Sequence, residues 1–294
     1  MQNGIERVSK IMMPILIVLS VIIAVYSVTR PGALAGVKYF LVPNVKNFSW
    51  MTVVSAMGQM FYSLSIAMGI LITFGSYMKK DTAIEDSTRN VEIFDTGIAI
   101  MAGLMIIPAV FAFSGGDPNT LQAGPSLMFI TIPKVFQNMG FGTVIGIVFF
   151  LLVLFAAVTS SIALTESAVS TFEDELGWGR KKATVLVGVI MLVLGSLSSL
   201  GYGPLAGIKI IGMQFLDLFD FLTNSVMMPI AALLTSLLVS RVVGIDKIEE
   251  EIIHGESAFR RKKVFVVMIK YLCPVFAIII LLSSVANALG WIKM

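Results

Sequence analysis

Charged residues are scarce in this sequence, and so are cysteine and histidine. Asp, Glu, Lys and Arg make up 13% of its 294 residues, whereas an ordinary soluble domain contains about 25%, and 57% of the residues are hydrophobic. Mean hydropathy is +0.92, which excludes a soluble globular protein. The 25 glycines and 10 prolines are spread out rather than periodic, so collagen-like, low-complexity and disordered chains are excluded as well. The expected solvent of this chain is therefore a lipid bilayer.

Redox, metal and hydrolytic chemistry find little support in the sequence. The one cysteine, Cys273, cannot form an intrachain disulfide, and no cluster of Cys and His has the spacing of a zinc site. The one histidine, His254, lies in a charged segment, and we assign it no role. Gly124-Pro-Ser126 resembles the motif of an intramembrane serine protease, but the distribution of Lys and Arg among the loops predicts that Ser126 and His254 lie on opposite sides of the membrane. A nucleophile and its base must approach within about 3 Å, so we predict that the chain is not an enzyme.

Seven apolar stretches are long enough to cross a bilayer, which takes about 20 residues in a helix. We therefore predict an all-α polytopic membrane protein with about seven transmembrane helices and no nucleic-acid partner. We expect the first stretch to be a permanent span rather than a signal peptide, because its N-terminal flank is barely basic and further spans follow it. The stretches run from Ile11 to Thr29, Asn47 to Met78, Thr96 to Gly116, Val135 to Thr165, Ala183 to Ile208, Phe221 to Ser240 and Tyr271 to Ile292.

Lys and Arg are concentrated in the loops that share a side of the predicted membrane with the N-terminus. Because cytoplasmic loops carry an excess of both residues, this pattern predicts a cytoplasmic N-terminus and a multi-pass protein of the cytoplasmic (inner) membrane. Trp50, Trp178 and Trp291 lie near span ends, where the headgroup layer favours their rings. Two connections stand out. The external segment 115–140 is apolar enough to lie against the bundle as a lid, and 242–263 is a highly charged cytoplasmic loop.

Polar residues inside apolar spans are costly unless they have a partner or a role. In the second span, Phe61–Gly69 contains two serine hydroxyls and a glycine, and such a stretch can break a helix and free its carbonyls to hold a cation. Packing of small residues between helices explains it equally well. In the fourth span, Thr159, Ser160 and Ser161 offer oxygen ligands for a weakly held monovalent cation, unless their hydroxyls simply bond to the preceding turn. Asp95 opens the third span, where the helix macrodipole alone would stabilise a carboxylate.

Longer strings of this sequence resemble the neurotransmitter:sodium symporter family, and in particular its bacterial amino-acid transporters. The resemblance implies a sodium-coupled symporter that works by alternating access, with two inverted five-helix repeats around substrate and ions. The matching strings are Asn3–Arg7, Lys10–Pro14, Gly58–Ser65, Thr73–Asp81, Ile107–Phe113, Phe129–Pro133, Phe155–Ser161 and Phe172–Glu175.

The resemblance also implies roles for individual residues. Ser63 and Asp95 would belong to one sodium site. The second sodium site would consist of the carbonyl of Ala156 and the hydroxyls of Thr159 and Ser160. The remaining implied residues are Tyr62, Ser65, Met68 and Leu164 in the substrate pocket and Asp220 in the extracellular gate.

Three positions bear on what such a transporter would carry. Asp95 stands where chloride-dependent relatives have asparagine, so its fixed charge predicts chloride independence. Ala67 replaces a glycine that is usual in the unwound stretch, and Met68 stands where many relatives have phenylalanine. Because methionine adapts its shape, the pocket is expected to accept bulky apolar side chains. The expected substrate is a neutral, hydrophobic amino acid.

The match begins at the family's fifth span. Residues 1–30 would form the last helix of the first repeat, 47–241 the second repeat and 264–294 one further helix. The first four spans would then be absent, so we expect this chain to be an incomplete portion of a transporter, with its N-terminal half missing or made separately. The alternative is a non-transporting truncated remnant, or a membrane scaffold that assembles with a partner.

Overall fold

The computed structural model describes residues 2–115, 124, 127–138, 140–255 and 258–288, and these residues are mostly helical. π-helical segments lie at Leu127–Thr131, Phe221–Met227, Leu238–Val243 and Met268–Leu272. The helices are α1 (Gln2–Val28), α2 (Ala33–Leu41), α3 (Trp50–Ser63), α4 (Ile70–Ser76), α5 (Ile84–Ser114), α6 (Ile132–Gln137), α7 (Gly142–Leu176), α8 (Arg180–Leu200), α9 (Phe215–Val243), α10 (Ile245–Gly255) and α11, which consists of Lys262–Val267, Met268–Leu272 and Cys273–Ala288.

Six helices of the described residues, α1, α5, α7, α8, α9 and α11, are long and apolar enough to cross a membrane. Each overlaps one of the seven predicted stretches, so the expectation of an all-α polytopic membrane protein is confirmed. The count of seven spans is not, because the second stretch, 47–78, is divided between α3 and α4. These two helices have 14 and 7 residues, and neither alone reaches the length of a span.

Several helices extend beyond the apolar stretches that predicted them. α5 begins at Ile84 instead of Thr96, and Glu85 and Asp86 in its first turn are stabilised by the positive end of the helix macrodipole. α7 has 35 residues and is therefore about 52 Å long, whereas the hydrocarbon core is about 30 Å thick. Hydropathy marks only the part of a helix that lies in hydrocarbon, which explains the difference.

The first of two compact units combines Met1–Phe48 with Glu92–Ile162. Its core is formed where α1, α5, α6 and α7 meet. The backbone of α2 approaches α5 so closely that a Cβ atom on Gly36 would lie 2.8 Å from the Cα of Pro108. The buried core residues are Ile23, Ala24, Met105, Ala109, Val110, Ile132, Val135, Phe136, Ile145 and Phe149.

The second unit combines Ser49–Val91 with Ala163–Met294. In this unit α11 packs against α9 and α3, and Phe61, Met228 and Ile280 form a buried cluster between these three helices. A second cluster joins the C-terminal half of α7 to α8 through residues such as Val169 and Val187. Helices α5 and α7 run through both units.

The two unusual connections contain helices. Within 115–140, which is described only in part, α6 buries Ile132 and Phe136 in the core of the first unit. The charged segment 242–263 contains α10, which buries Ile245 and Ile252. Because residues seven apart lie on one helix face, α10 is an amphipathic helix with most of its charges on the outside.

Candidate functional site

The centre of the candidate site is the break between α3 and α4. Helix α3 begins with a capping box at Ser49 and ends at Ser63, and α4 begins only at Ile70. At the break, the Ile66 amide donates to the carbonyl of Phe61 over 2.9 Å, five residues back rather than four. Of the two interpretations left open for Phe61–Gly69, a local break and ordinary packing of small residues, the structure contains the break.

Three alternate residues of this break adopt the left-handed backbone region. Their φ angles are 54° at Ser65, 64° at Ala67 and 77° at Gly69. Only glycine adopts that region without cost, and other residues lose roughly 1–2 kcal/mol each. Strained backbone of this kind persists where the surroundings over-determine it, and it concentrates at binding sites. The explanation by ordinary helix packing does not account for this geometry.

The predicted substrate-pocket residues all lie in the second unit. Tyr62 lies on the last turn of α3, and its side chain is about half exposed. Met68 packs against the buried cluster of Phe61, Met228 and Ile280. The Ser167 hydroxyl on α7 lies 3.5 Å from the carbonyl oxygen of Met68. Leu164 is three residues before Ser167, so it lies on the face of α7 that meets the break.

The closeness of Ser167 to the break also explains why the last residue of the break, Gly69, is a glycine. A Cβ atom on Gly69 would lie 2.7 Å from the Ser167 hydroxyl oxygen, and the φ angle of Gly69 is itself unfavourable for other residues. Farther along α4, the Thr73 and Ser170 hydroxyls are 3.3 Å apart. Helix α4 therefore lies along one face of α7.

The residues predicted for the second sodium site lie on one turn of α7. The Thr159 hydroxyl donates to the carbonyl of Ala156 over 2.9 Å and is 3.1 Å from that of Phe155. The Ser160 side chain is exposed. The hydroxyl and carbonyl that would share an ion are thus adjacent, and the hydroxyl donates to the carbonyl as in an ordinary bond to the preceding turn.

The residues predicted for the other sodium site belong to different units. Ser63 is the last residue of α3, in the second unit, and Asp95 lies on α5 in the first. Their pairing stays a prediction. The position of Asp95 nevertheless corrects one interpretation: it lies three turns inside α5, not at its start. Because the macrodipole acts within the first turn, it does not explain this half-buried carboxylate.

The predicted gate residue, Asp220, stands where α9 changes from α-helix to π-helix. The Asn224 side-chain amide donates to its carboxylate, and Thr223 donates to the carbonyl of Phe219 over 2.7 Å. π-Helical turns are frequent at functional sites. The role of Asp220 as a gate stays a prediction.

One polar network escaped the sequence reasoning. Glu166 on α7 is only 5% exposed, and its carboxylate accepts a 2.7 Å hydrogen bond from the Tyr77 hydroxyl. Arg180, at the start of α8, pairs with the same carboxylate and with Glu173 over 3.0 Å. The available signal was the spacing of Glu166 and Glu173, which puts two carboxylates on one face of α7 two turns apart.

Among the described residues, no three His, Cys, Asp or Glu side chains are grouped to hold a metal ion. A sodium site built from hydroxyls and carbonyls needs no such group. Ser126 of the rejected protease motif and Trp291 lie outside the described residues, as does much of 115–140.

Comparison with known proteins identifies relatives of nearly the whole chain. The sequence profile of the "Sodium:neurotransmitter symporter family" matches residues 1–291. The "Uncharacterized sodium-dependent transporter YhdH" of Bacillus subtilis (strain 168) is 34% identical over 285 residues, which are 97% of this chain and 62% of the relative. An "Uncharacterized sodium-dependent transporter" of Haemophilus influenzae is 31% identical over 96% of this chain and 61% of its own length.

A solved structure, the "Crystal structure of MhsT in complex with L-phenylalanine", has a similar fold. Its TM-score is 0.81 at 34% identity, and the match covers 95% of this chain and 63% of that one. This chain therefore spans about three fifths of the length of the relatives it matches. The relatives are transporters, which confirms the expectation that the chain is not an enzyme. The predicted alignment from the family's fifth span onward, and the separate first half, stay predictions.

Proposed function

The chain belongs to the sodium:neurotransmitter symporter family, and from this premise we propose that it acts in the sodium-coupled symport of a neutral, hydrophobic amino acid. Sodium is the coupling ion of this family. The proposed setting is the cytoplasmic membrane, with a cytoplasmic N-terminus and transport that does not need chloride.

The observation that carries this proposal is the break between Ser63 and Ile70. Non-helical backbone at membrane depth is tolerated only where it is buried in protein or lines a cavity, and there its carbonyls can coordinate cations. Three left-handed residues in six positions are costly, so a binding role offers a reason for their presence.

A hydrophobic substrate is supported by the residues around the break. Tyr62, Met68 and Leu164 offer apolar surface, while Ser65 offers a hydroxyl to a polar headgroup. The solved relative MhsT was crystallised with L-phenylalanine, which is a substrate of the proposed class. A neutral zwitterion also suits a site whose proposed ligands are mainly uncharged oxygens.

The two proposed sodium sites differ in charge. One contains the Asp95 carboxylate, whereas the other, at Ala156, Thr159 and Ser160, has only neutral oxygens. Hard oxygen ligands without excess charge suit a weakly held monovalent cation that must be released in each cycle. The fixed charge of Asp95 would make a chloride ion unnecessary.

Uptake by proteoliposomes tests the proposal. The full chain is reconstituted, and accumulation of labelled L-phenylalanine is measured with an inward sodium gradient and with potassium in its place. Sodium-dependent binding of the label is expected of this chain alone, and sodium-dependent accumulation is expected once the expected first half is supplied, both unchanged in chloride-free buffer. A reconstituted chain that neither accumulates nor binds the label with sodium would contradict the proposal and favour a non-transporting scaffold or remnant.

A further inference from the structure

The connection that follows α10 lies directly against the turn that precedes α5. A Cβ atom on Gly255, the last residue of α10, would be 2.4 Å from the carbonyl oxygen of Thr82 and 2.8 Å from its carbon. Both obstacles are backbone atoms, so no side-chain rotation could relieve the contact. The two segments therefore approach at a distance that requires glycine.

The same two segments are joined by the Glu85 carboxylate in the first turn of α5. Its Oε2 accepts a hydrogen bond from the backbone N–H of Arg260 over 2.9 Å, and its Oε1 lies 3.9 Å from Nε of Arg261. The Glu85 side chain is only 11% exposed. A carboxylate so far removed from water needs such partners, and here they come from another part of the chain.

An ion pair joins the two helices on either side of the connection that Glu85 contacts. Lys262, the first residue of α11, forms an ion pair with Glu249 on α10, so the ends of the connection are held together. On the opposite side, the Thr82 amide donates to the carbonyl of Lys79 over 3.0 Å, which forms a tight turn. Arg260 and Arg261 thus directly precede a residue that is bonded to α10, and Thr82 lies in a hydrogen-bonded turn.

The turn at Lys79–Thr82 leads directly from α4, whose other end adjoins the break. The Met78 amide donates to the carbonyl of Gly75 over 3.1 Å, so little free chain separates α4 from the turn. We propose that Glu85 and Gly255 form a clasp that holds the turn Lys79–Thr82 against the α10–α11 connection and so restrains the movement of α4. The clasp does not depend on whether the chain transports an amino acid.

Hydrogen–deuterium exchange of the full chain in detergent micelles tests the clasp. The variants are Gly255→Ala, which forces the two backbones apart, and Glu85→Gln, which removes the charge from the carboxylate. Both are expected to speed backbone exchange at residues 77–86 at least fivefold and to speed it at 70–76 as well, because loss of the restraint frees α4. Exchange in α8 should not change.

Two matched controls separate the clasp from general effects. Gly188→Ala also adds a methyl group to a helix glycine, but nothing lies within 4 Å of its Cβ position. Glu250→Gln removes an exposed carboxylate from α10. Both controls should stay within twofold of the unaltered chain.

The clasp is overturned if Gly255→Ala and Glu85→Gln leave exchange at 77–86 within twofold of the controls. Faster exchange at 77–86 without any change at 70–76 would show that the contact does not restrain α4, and acceleration across all helices would show general destabilisation instead. Should Gly255→Ala fail to fold, Arg261→Gln, at a side chain 47% exposed, makes the same comparison and is expected to give at least threefold faster exchange at 77–86. No acceleration in that variant would overturn the clasp.

Discussion

The Tyr77 hydroxyl donates a 2.7 Å hydrogen bond to the Glu166 carboxylate, which is nearly inaccessible to water. Tyr77 lies directly after α4, whereas Glu166 lies on α7, so this bond secures the far end of the short helix that follows the break. Arg180 supplies the positive charge that the buried carboxylate needs.

The first prediction concerns this bond. Tyr77→Phe removes one donor from a buried charged acceptor and is expected to lower the free energy of unfolding by about 1.5–3 kcal/mol. Denaturant unfolding in micelles measures the change. Tyr271→Phe is the matched control, because Tyr271 is 64% exposed and its change should be within about 0.5 kcal/mol. Equal stabilities of the two variants would contradict the role of the bond.

The second prediction concerns backbone strain in the break. Ala67→Gly removes a Cβ atom from a residue with φ of 64° and is expected to raise stability by up to about 1 kcal/mol. Gly69→Ala adds one at φ of 77°, against the Ser167 hydroxyl, and should lower stability by more than about 1 kcal/mol. Thermal unfolding with and without sodium measures both.

Gly75→Ala is the control for this pair, since its Cβ position is open and it lies within α4. It should be neutral or slightly stabilising, as alanine is in most helices. If Gly69→Ala were as well tolerated as Gly75→Ala, the left-handed geometry of the break would be wrong.

The third prediction concerns Asp95. If its carboxylate replaces the charge of a chloride ion, uptake by the unaltered chain should be the same in chloride and gluconate buffers. Asp95→Asn should then make uptake depend on chloride, because the negative charge must come from the solution. Asp86→Asn, at the exposed start of the same helix, should create no such requirement. Equal uptake by Asp95→Asn in both buffers would argue against the charge replacement.

Much of the architecture could be predicted from the sequence because the bilayer imposes a simple length rule. Six apolar stretches became long helices. The break within Phe61–Gly69 was one of two interpretations left open, because serine and glycine in an apolar run suit either a break or close helix packing. Asp95 was misjudged for a related reason. Hydropathy put the helix start at Thr96, but helices continue into charged sequence outside hydrocarbon, so Asp95 lies deep inside α5.

The polar contacts between distant segments could not be predicted in the same way. Glu166 and Tyr77 are 89 residues apart, and Glu85 and Arg260 are 175 apart. Neither pair has a periodic signature, because each depends on how helices pack and not on which residues each helix contains. The need for glycine at position 255 could not be predicted either, because it comes from the nearby backbone of Thr82 and not from a local turn.

The fourth prediction concerns the proposed neutral sodium site. Thr159→Val keeps the shape of the side chain but removes the hydroxyl that bonds to the carbonyl of Ala156. The concentration of sodium that gives half of the maximal thermal stabilisation should rise at least tenfold, because one ligand is lost, while stability without sodium should change little.

The control for this variant is Thr171→Val on the same helix. The Thr171 hydroxyl makes the same kind of bond, 2.8 Å to the carbonyl of Ser167, but lies three turns away from the proposed site. Loss of sodium sensitivity in both variants would indicate a general effect of hydroxyls on α7. Loss in Thr159→Val alone separates a cation ligand from an ordinary bond to the preceding turn, because only a ligand makes the hydroxyl matter for sodium.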